Sequence, residues 1–286
     1  MPLPEWVKTQ LKGIKTTQKY FKHRNINTVC ETLRCPNRTV CYKEQAATFM
    51  ILGNICTRGC RFCNAEKGNP AFSDNKEPVR IAHAVNDLLL KYVVITSPTR
   101  DDLVDGGAEH FASTIMEIKK LNDNVLIEVL VPDFQGNKSS IEKVVNSCIS
   151  VFAHNIETVR KLYGHVRKAD YCRSLKVLES AKKINSEIIT KSGFMLGLGE
   201  TIEEVLQTLQ DLNNAGCDIV TIGQYLQPSK RALPVVEYIK LEVFEEIAKF
   251  AFKTGFKIVL SGPLVRSSTR AYEIYSALKD GKYGKF

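Results

Sequence analysis

From residue 49 onward the chain repeats one arrangement: a short β-branched apolar run, then a polar or glycine-containing loop, then a segment whose apolar positions fall three and four apart. The runs are FMILGN (49–54), YVVITS (92–97), NVLIEVLV (124–131), SVFAHNIE (150–157), IITKSGFML (188–196) and DIVTIGQYL (218–226), with a shorter FKIVLSG at 256–262. Short, nearly continuous apolar runs suit strands buried on both faces, and the helical rhythm between them suits amphipathic helices packed on those strands. The spacing predicts helices over about 79–90, 107–121, 139–147, 171–184, 201–215 and 241–254. TIEEVLQTLQDLNNAG even marks its own ends: Thr201 suits an N-cap, Glu204 stands three residues on as in a capping box, and Gly216 suits the C-terminal cap.

Strand–helix alternation of this kind implies a parallel sheet with right-handed crossovers. Six or seven units are too few for a closed eight-stranded barrel. The expected fold is therefore α/β, a partial TIM-type (β/α)6 barrel over residues 49–262. Residues 1–48 and 263–286 read as extensions packed onto that one domain. In barrels and in doubly wound sheets alike, ligands bind at the carboxyl ends of the strands. The loop that follows FMILGN is thus at the chemical end.

Composition changes this picture little. Of 286 residues, 44% are apolar and 25% charged, which is ordinary for a globular protein. No apolar run approaches the roughly 20 residues that span a bilayer, and MPLPEWVKTQ lacks the apolar core of a signal peptide. The expectation is a cytoplasmic protein with no membrane partner. Charge adds more, because the net +9 is uneven: residues 1–28 carry +5 and residues 266–286 carry +3. Basic ends on a near-neutral body suit an acidic macromolecular partner.

The cysteines carry the chemistry. Six of nine lie within residues 30–63, as Cys30, Cys35 and Cys41 (C-x4-C-x5-C) and Cys56, Cys60 and Cys63 (C-x3-C-x2-C). In a reducing compartment such spacing points to metal rather than disulfides. Each group stops one thiol short of a closed tetrahedral zinc site, and neither fits zinc-finger spacing. Three thiolates from a short loop can hold three irons of a [4Fe–4S] cluster and leave the fourth open to a chelating ligand. Cys148, Cys172 and Cys217 are scattered, and the five histidines, His23, His83, His110, His154 and His165, show no ligand-like pairing. These residues receive no role.

The second cysteine group, with Phe62 before its last thiol, resembles the signature of the radical S-adenosylmethionine superfamily. The resemblance then becomes narrower. TVCETLRCPNRTVCYKEQAATFMILGNICTRGCRFC, YVVITSPTRDDLVDGGAEHFA, IEVLVPDF, HNIETVRKLY, TKSGFMLGLGET, TIGQYLQPS and SGPLVRSS together resemble the lipoyl synthase family over roughly residues 4–275. The family pattern implies that Cys56, Cys60 and Cys63 bind the radical-generating [4Fe–4S] cluster, and that Cys30, Cys35 and Cys41 bind a second, auxiliary one. The auxiliary cluster's fourth ligand would be the second serine of an RSS motif, Ser268 here. Read without the family, Ser267 and Ser268 are a helix N-cap pair before TRAYEIYSAL. The chain departs from the family at Tyr42, where a Trp is usual, and at Thr269, where an aromatic is usual. Neither change removes a ligand.

The resemblance further implies sulfur insertion at C6 and C8 of an octanoyl group held on a lysine of a lipoyl carrier domain. Such domains belong to 2-oxoacid dehydrogenase E2 subunits and the glycine cleavage H protein. It also implies a ferredoxin- or flavodoxin-type electron donor and an iron–sulfur cluster carrier. Unactivated C–H bonds give up no proton to a general base at neutral pH, so a 5′-deoxyadenosyl radical does the abstraction, and a sulfide of the auxiliary cluster supplies the sulfur. Asn155, Glu157 and Arg167, around the end of the fourth apolar run, are placed to hold the ribose and carboxylate of S-adenosylmethionine. The competing reading from another class is a zinc-dependent RNA-binding module, supported by the basic ends and KYFKHR at 19–24. It leaves the βα body and RSS unexplained, and no nucleic-acid partner is expected.

Overall fold

The computed structural model describes residues 20–32 and 46–286. Cys35, Cys41, Tyr42 and most of the N-terminal extension lie outside the described residues. Among the described residues ten strands fall in chain order: β1 (Ala46–Met50), β2 (Ile55–Cys56), β3 (Glu66–Lys67), β4 (Tyr92–Thr96), β5 (Leu126–Leu130), β6 (Val151–Ala153), β7 (Ile189–Leu196), β8 (Ile219–Gln224), β9 (Ile258–Gly262) and β10 (Gly284–Lys285). One sheet runs β1-β4-β5-β6-β7-β8-β9-β10, parallel throughout, and β2 and β3 form a separate pair. Because the order never reverses, right-handed crossovers put the six helices that link β1 through β9 on the same side. The sheet therefore curls around a lumen instead of becoming a doubly wound layer. β1 and β10 remain its open edges.

The six βα units are as expected, with helices Glu77–Asp87, Ala108–Leu121, Lys138–Val145, Tyr171–Ile184, Ile202–Asn214 and Leu241–Thr254. The capping box at Thr201 and Glu204 has both of its hydrogen bonds. Outward-facing strand residues such as Phe49, Val93 and Val129 pack with helix residues Ile81, Phe111 and Ile141 into one core. A second core joins the later strands to the helices after β7 and β8.

Two strand boundaries differ from the sequence expectation. The first strand spans 46–50 instead of 49–54, because Leu52 (φ 64°) and Gly53 (φ 85°) turn the chain out of the sheet. The boundary at 48/49 therefore cuts a strand. The fourth run, expected over 150–157, is continuous strand only over Val151–Ala153 and touches β7 again in a single bridge from Glu157, at φ 70°, to Phe194. Both strands end early on the carboxyl side, where the chain enters a loop, and the first also begins three residues sooner.

The C-terminal segment turns back from β9 into the lumen before it adds β10 at the sheet's edge. After β9 a turn leads to the helix Ala271–Lys279, whose Ile274 and Leu278 pack inside the lumen against Val151, Ile189, Ile219 and Ile258. Its other contacts, Ala271 and Tyr275, reach Tyr92 and Val94 of β4. The helix thereby fills the amino-terminal half of the lumen. Above it lies a buried ion pair, Lys191 Nζ to both Glu128 oxygens at 3.0 Å, with Tyr92 donating to Glu128 at 2.7 Å. Breaking such a pair leaves an uncompensated buried charge, so these residues hold as a unit.

Candidate active site at the barrel mouth

The cysteine loop begins at the turn after β1. Leu52 N–H donates to the Glu77 carboxylate at 2.8 Å, and the buried Arg100 donates to Leu52 O at 3.2 Å. A left-handed non-glycine residue persists only where its surroundings hold it. β2 and β3 then close residues 56–66 into a compact loop, with Gly68 N–H bonded to Cys56 O.

Cys56, Cys60 and Cys63 are each half-buried. Each sulfur accepts one backbone N–H at 3.4 Å: Cys56 from Arg58, Cys60 from Lys168 and Cys63 from Ala65. Three sulfurs used as acceptors is the environment a thiolate ligand takes, and such bonds also tune cluster potential. Burial pushes the Cys63 thiol up to about 11 and raises the Cys60 thiol as well, and such a thiol gives up its proton on binding metal. Among the described residues no three His, Cys, Asp or Glu converge on a site for one metal ion. A four-iron cluster, by contrast, takes one thiolate per iron.

Beside this loop stand the sequence candidates after β6. Asn155 donates to Glu157 Oε1 at 3.1 Å, while Asn155 Oδ1 is buried with no hydrogen-bond partner among the described residues. Burial pushes the Glu157 carboxyl up, against the pull of Arg167. Arg167 donates to Asn155 O and, at 2.8 Å, to Tyr163 Oη. An orphaned carbonyl oxygen, a carboxylate and a guanidinium beside the thiol loop fit a ligand with ammonium, hydroxyl and carboxylate groups. Gly193 keeps the space open, since a Cβ there would come within 2.3 Å of Thr221 Oγ1 and 3.2 Å of Asn155 Oδ1.

Phe62 is anchored in an apolar cluster with Val166, Leu198, Tyr225 and Leu233, which ties the cysteine loop to the ends of β7 and β8. The glycines of the GLGE segment serve the backbone: Gly197 has φ 95°, and a Cβ there would meet Glu237 O at 2.3 Å. Glu200 folds back onto its own loop, accepting from Gly197 and Leu198 N–H.

Cys30 lies beside β1, and Ser268 follows β9. Cys30 is buried in the short helix Val29–Thr32 against β1, where Thr28 bridges Phe49. Ser268 is half-buried in the turn after β9, which is seated on β8: a Cβ on Gly223 would fall 2.2 Å from Val265 O. The helix-cap reading of the serines is overturned. The N-cap is Arg270, at φ 51°, and no side chain caps that helix.

His154 was given no role by the sequence, and its place shows why it was easy to miss. It is fully buried, Nδ1 bonds Val131 O at 2.8 Å, and Nε2 lies 3.4 Å from Arg167 Nη2. Nδ1 is therefore the donor and Nε2 the acceptor. Burial and the Arg167 charge press its pKa down to about 3. A depressed folded pKa gives stability that is whole above the unfolded value near 6.5 and is lost as pH falls toward 3. Acid unfolding of the metal-free chain should accordingly begin below about pH 6.5, and H154Q should flatten that limb of the curve. An unchanged pH dependence in H154Q, followed by circular dichroism, would contradict this account.

Comparisons agree with the geometry. The sequence model of the Radical SAM superfamily matches residues 50–212, more than half of the chain. Lipoyl synthase of Caldicellulosiruptor saccharolyticus is 53% identical over 274 residues, covering 94% of this chain and 96% of the relative. Lipoyl synthase of Caldanaerobacter subterraneus subsp. tengcongensis is 51% identical over 271 residues, covering 94% and 95%. Among solved structures, the FeFe-hydrogenase maturase HydG from Carboxydothermus hydrogenoformans superposes with a TM-score of 0.62 at 14% identity, over 97% of this chain and 70% of that one. At that identity the likeness speaks for the fold alone.

Proposed function

Since the chain belongs to the lipoyl synthase family of the radical S-adenosylmethionine superfamily, we propose a division of labour among its residues. It is a sulfur-inserting enzyme of lipoyl cofactor biosynthesis that uses a [4Fe–4S] cluster and S-adenosylmethionine. The substrate we assign is an octanoyl group in amide linkage to a lysine of a lipoyl carrier domain, sulfurated at C6 and C8. Among the described residues no helix is long and apolar enough to cross a membrane.

Cys56, Cys60 and Cys63 hold the radical cluster in this reading, and Cys30, Cys35, Cys41 and Ser268 hold an auxiliary one. When bound, the two clusters supply an electron that cleaves S-adenosylmethionine and the sulfur that the substrate carbon accepts. The chain's own residues bind and orient. Asn155 Oδ1 and Glu157 accept from the ammonium and ribose hydroxyls, and Arg167 pairs the carboxylate. The helix Ala271–Lys279 closes the lumen below, so that a reactive intermediate meets the substrate before water. The basic ends dock the acidic carrier, and a ferredoxin- or flavodoxin-type protein delivers electrons. We divide the chain at 1–48, 49–262 and 263–286 by role, within one structural domain.

One observation carries the reading: the buried, unpartnered Asn155 Oδ1 lies in the loop that also supplies a carboxylate and a guanidinium beside three N–H-bonded sulfurs. The test is anaerobic turnover of holoenzyme with an octanoylated carrier domain, S-adenosylmethionine and a one-electron reductant. The expected result is brown protein with about eight irons, 5′-deoxyadenosine, and the carrier mass of the lipoyl form. Colourless zinc protein that yields no 5′-deoxyadenosine would sink it.

A further inference from the structure

Arg58 is inside the cysteine loop, where a cation reads first as an anion-binding group. Its guanidinium is already engaged. Nε and Nη2 donate to Asp101 at 2.6 and 2.7 Å, and Nη1 and Nη2 donate to Asp133 at 2.9 and 2.7 Å. Four of the five donors that a guanidinium carries are used. Its neighbour Thr57 is fixed as well: N–H donates to Thr99 O at 3.0 Å, and the hydroxyl accepts from Asp101 N–H at 3.1 Å.

Asp133 is the centre of this arrangement. Its side chain is 0% exposed, follows β5, and accepts from Gln135 N–H at 3.1 Å. It also accepts from Arg173 Nε at 2.8 Å, in the first turn of the helix after β6. Burial alone would raise its pKa, but the Arg58 hydrogen bonds outweigh it and hold the carboxyl well below the ordinary range. One buried carboxylate therefore grips both walls of the site. Through Arg58 it holds the loop that carries the thiols. Through Arg173 it holds the segment whose Lys168 N–H reaches Cys60 and whose Arg167 faces Asn155 and Glu157.

We propose that Asp133, acting through Arg58 and Arg173, is the positioning residue that sets the cysteine loop against the 163–170 segment and so fixes cluster and S-adenosylmethionine relative to each other. The geometry is bidentate at Arg58, and a lysine cannot reproduce it. A misplacement of about 1 Å at such a site can cost 100-fold in rate. This inference rests on the assignment of Cys56, Cys60 and Cys63 to the radical cluster.

The test compares reconstituted holoenzyme of wild type with R58K, D133N and D101N, by the electron paramagnetic resonance of the reduced protein titrated with S-adenosylmethionine. For D133N the S-adenosylmethionine concentration that half-completes the spectral change should rise about 10-fold, as should KM. R58K should behave similarly. D101N, which loses only the 30%-exposed arm of the clamp, should shift less and serves if D133N fails to fold. A brief chelator challenge should strip the S-adenosylmethionine-responsive signal faster in the variants while the other cluster's iron stays. Unchanged titrations in R58K and D101N would overturn the proposal, as would equal loss of both clusters in step with a lowered melting temperature. A C56A/C60A/C63A chain that still gave the S-adenosylmethionine-responsive signal would instead overturn the ligand assignment.

Discussion

C60A protein should make no 5′-deoxyadenosine above background, a loss of at least ~1000-fold, or about 4 kcal/mol of barrier, while it keeps roughly half its iron. Cys60 takes no part in the packed interior. It is half-buried in a loop and contributes to no apolar core, so truncating it opens no cavity and should move the stability of the metal-free chain by no more than about 0.5 kcal/mol. Its sulfur does have a specific donor, Lys168 N–H at 3.4 Å from across the site, which a structural thiol in that loop would not need. On the proposed ligand set, removing the sulfur leaves two thiolates for three irons. The measurement is single-turnover 5′-deoxyadenosine formation with iron counted in the same sample. Wild-type cleavage in C60A would contradict the ligand assignment. A lost activity with a melting temperature lowered by many degrees would assign Cys60 to the fold instead.

Much of this was legible in the sequence because two periodicities and one spacing are local signals. Strand runs and helical rhythm place six βα units to within a few residues, and C-x3-C-x2-C after the first strand marks the chemical end. What was missed is non-local. Leu52 and Glu157 end their strands through left-handed backbone held by partners such as Glu77 and Gly193, which no short window of sequence contains. Asp133 and Arg58 are 75 residues apart, and each alone passes for a solvated loop charge. The serines of VRSSTR look like a cap because Ser and Thr ahead of a helix usually are one. Here the seat that Gly223 leaves for Val265 moves the helix start on to Arg270, which frees both hydroxyls from that duty.

That displacement makes Ser268 the sharpest residue on which to test the auxiliary site. S268A should cleave S-adenosylmethionine within about 3-fold of wild type yet form lipoyl product at least ~100-fold more slowly, about 3 kcal/mol. C30A should give the same split. If Ser268 were a helix cap, its loss would cost about 1 kcal/mol of stability and leave chemistry intact. Because Arg270 holds the N-cap position and the helix is docked by Ile274, Tyr275 and Leu278, S268A should unfold at the wild-type temperature. The two outcomes separate cleanly. A serine oxygen is also a harder, weaker partner for iron–sulfur iron than thiolate is, which suits the sulfur-donating role proposed for that cluster. S268C should therefore keep the auxiliary iron under chelation longer than wild type does and still insert sulfur more slowly. The chain leaves β9, turns over β8 at Val265 and sends its last helix against β4. Full lipoyl formation by S268A, with S-adenosylmethionine cleavage unchanged, would remove Ser268 from the site.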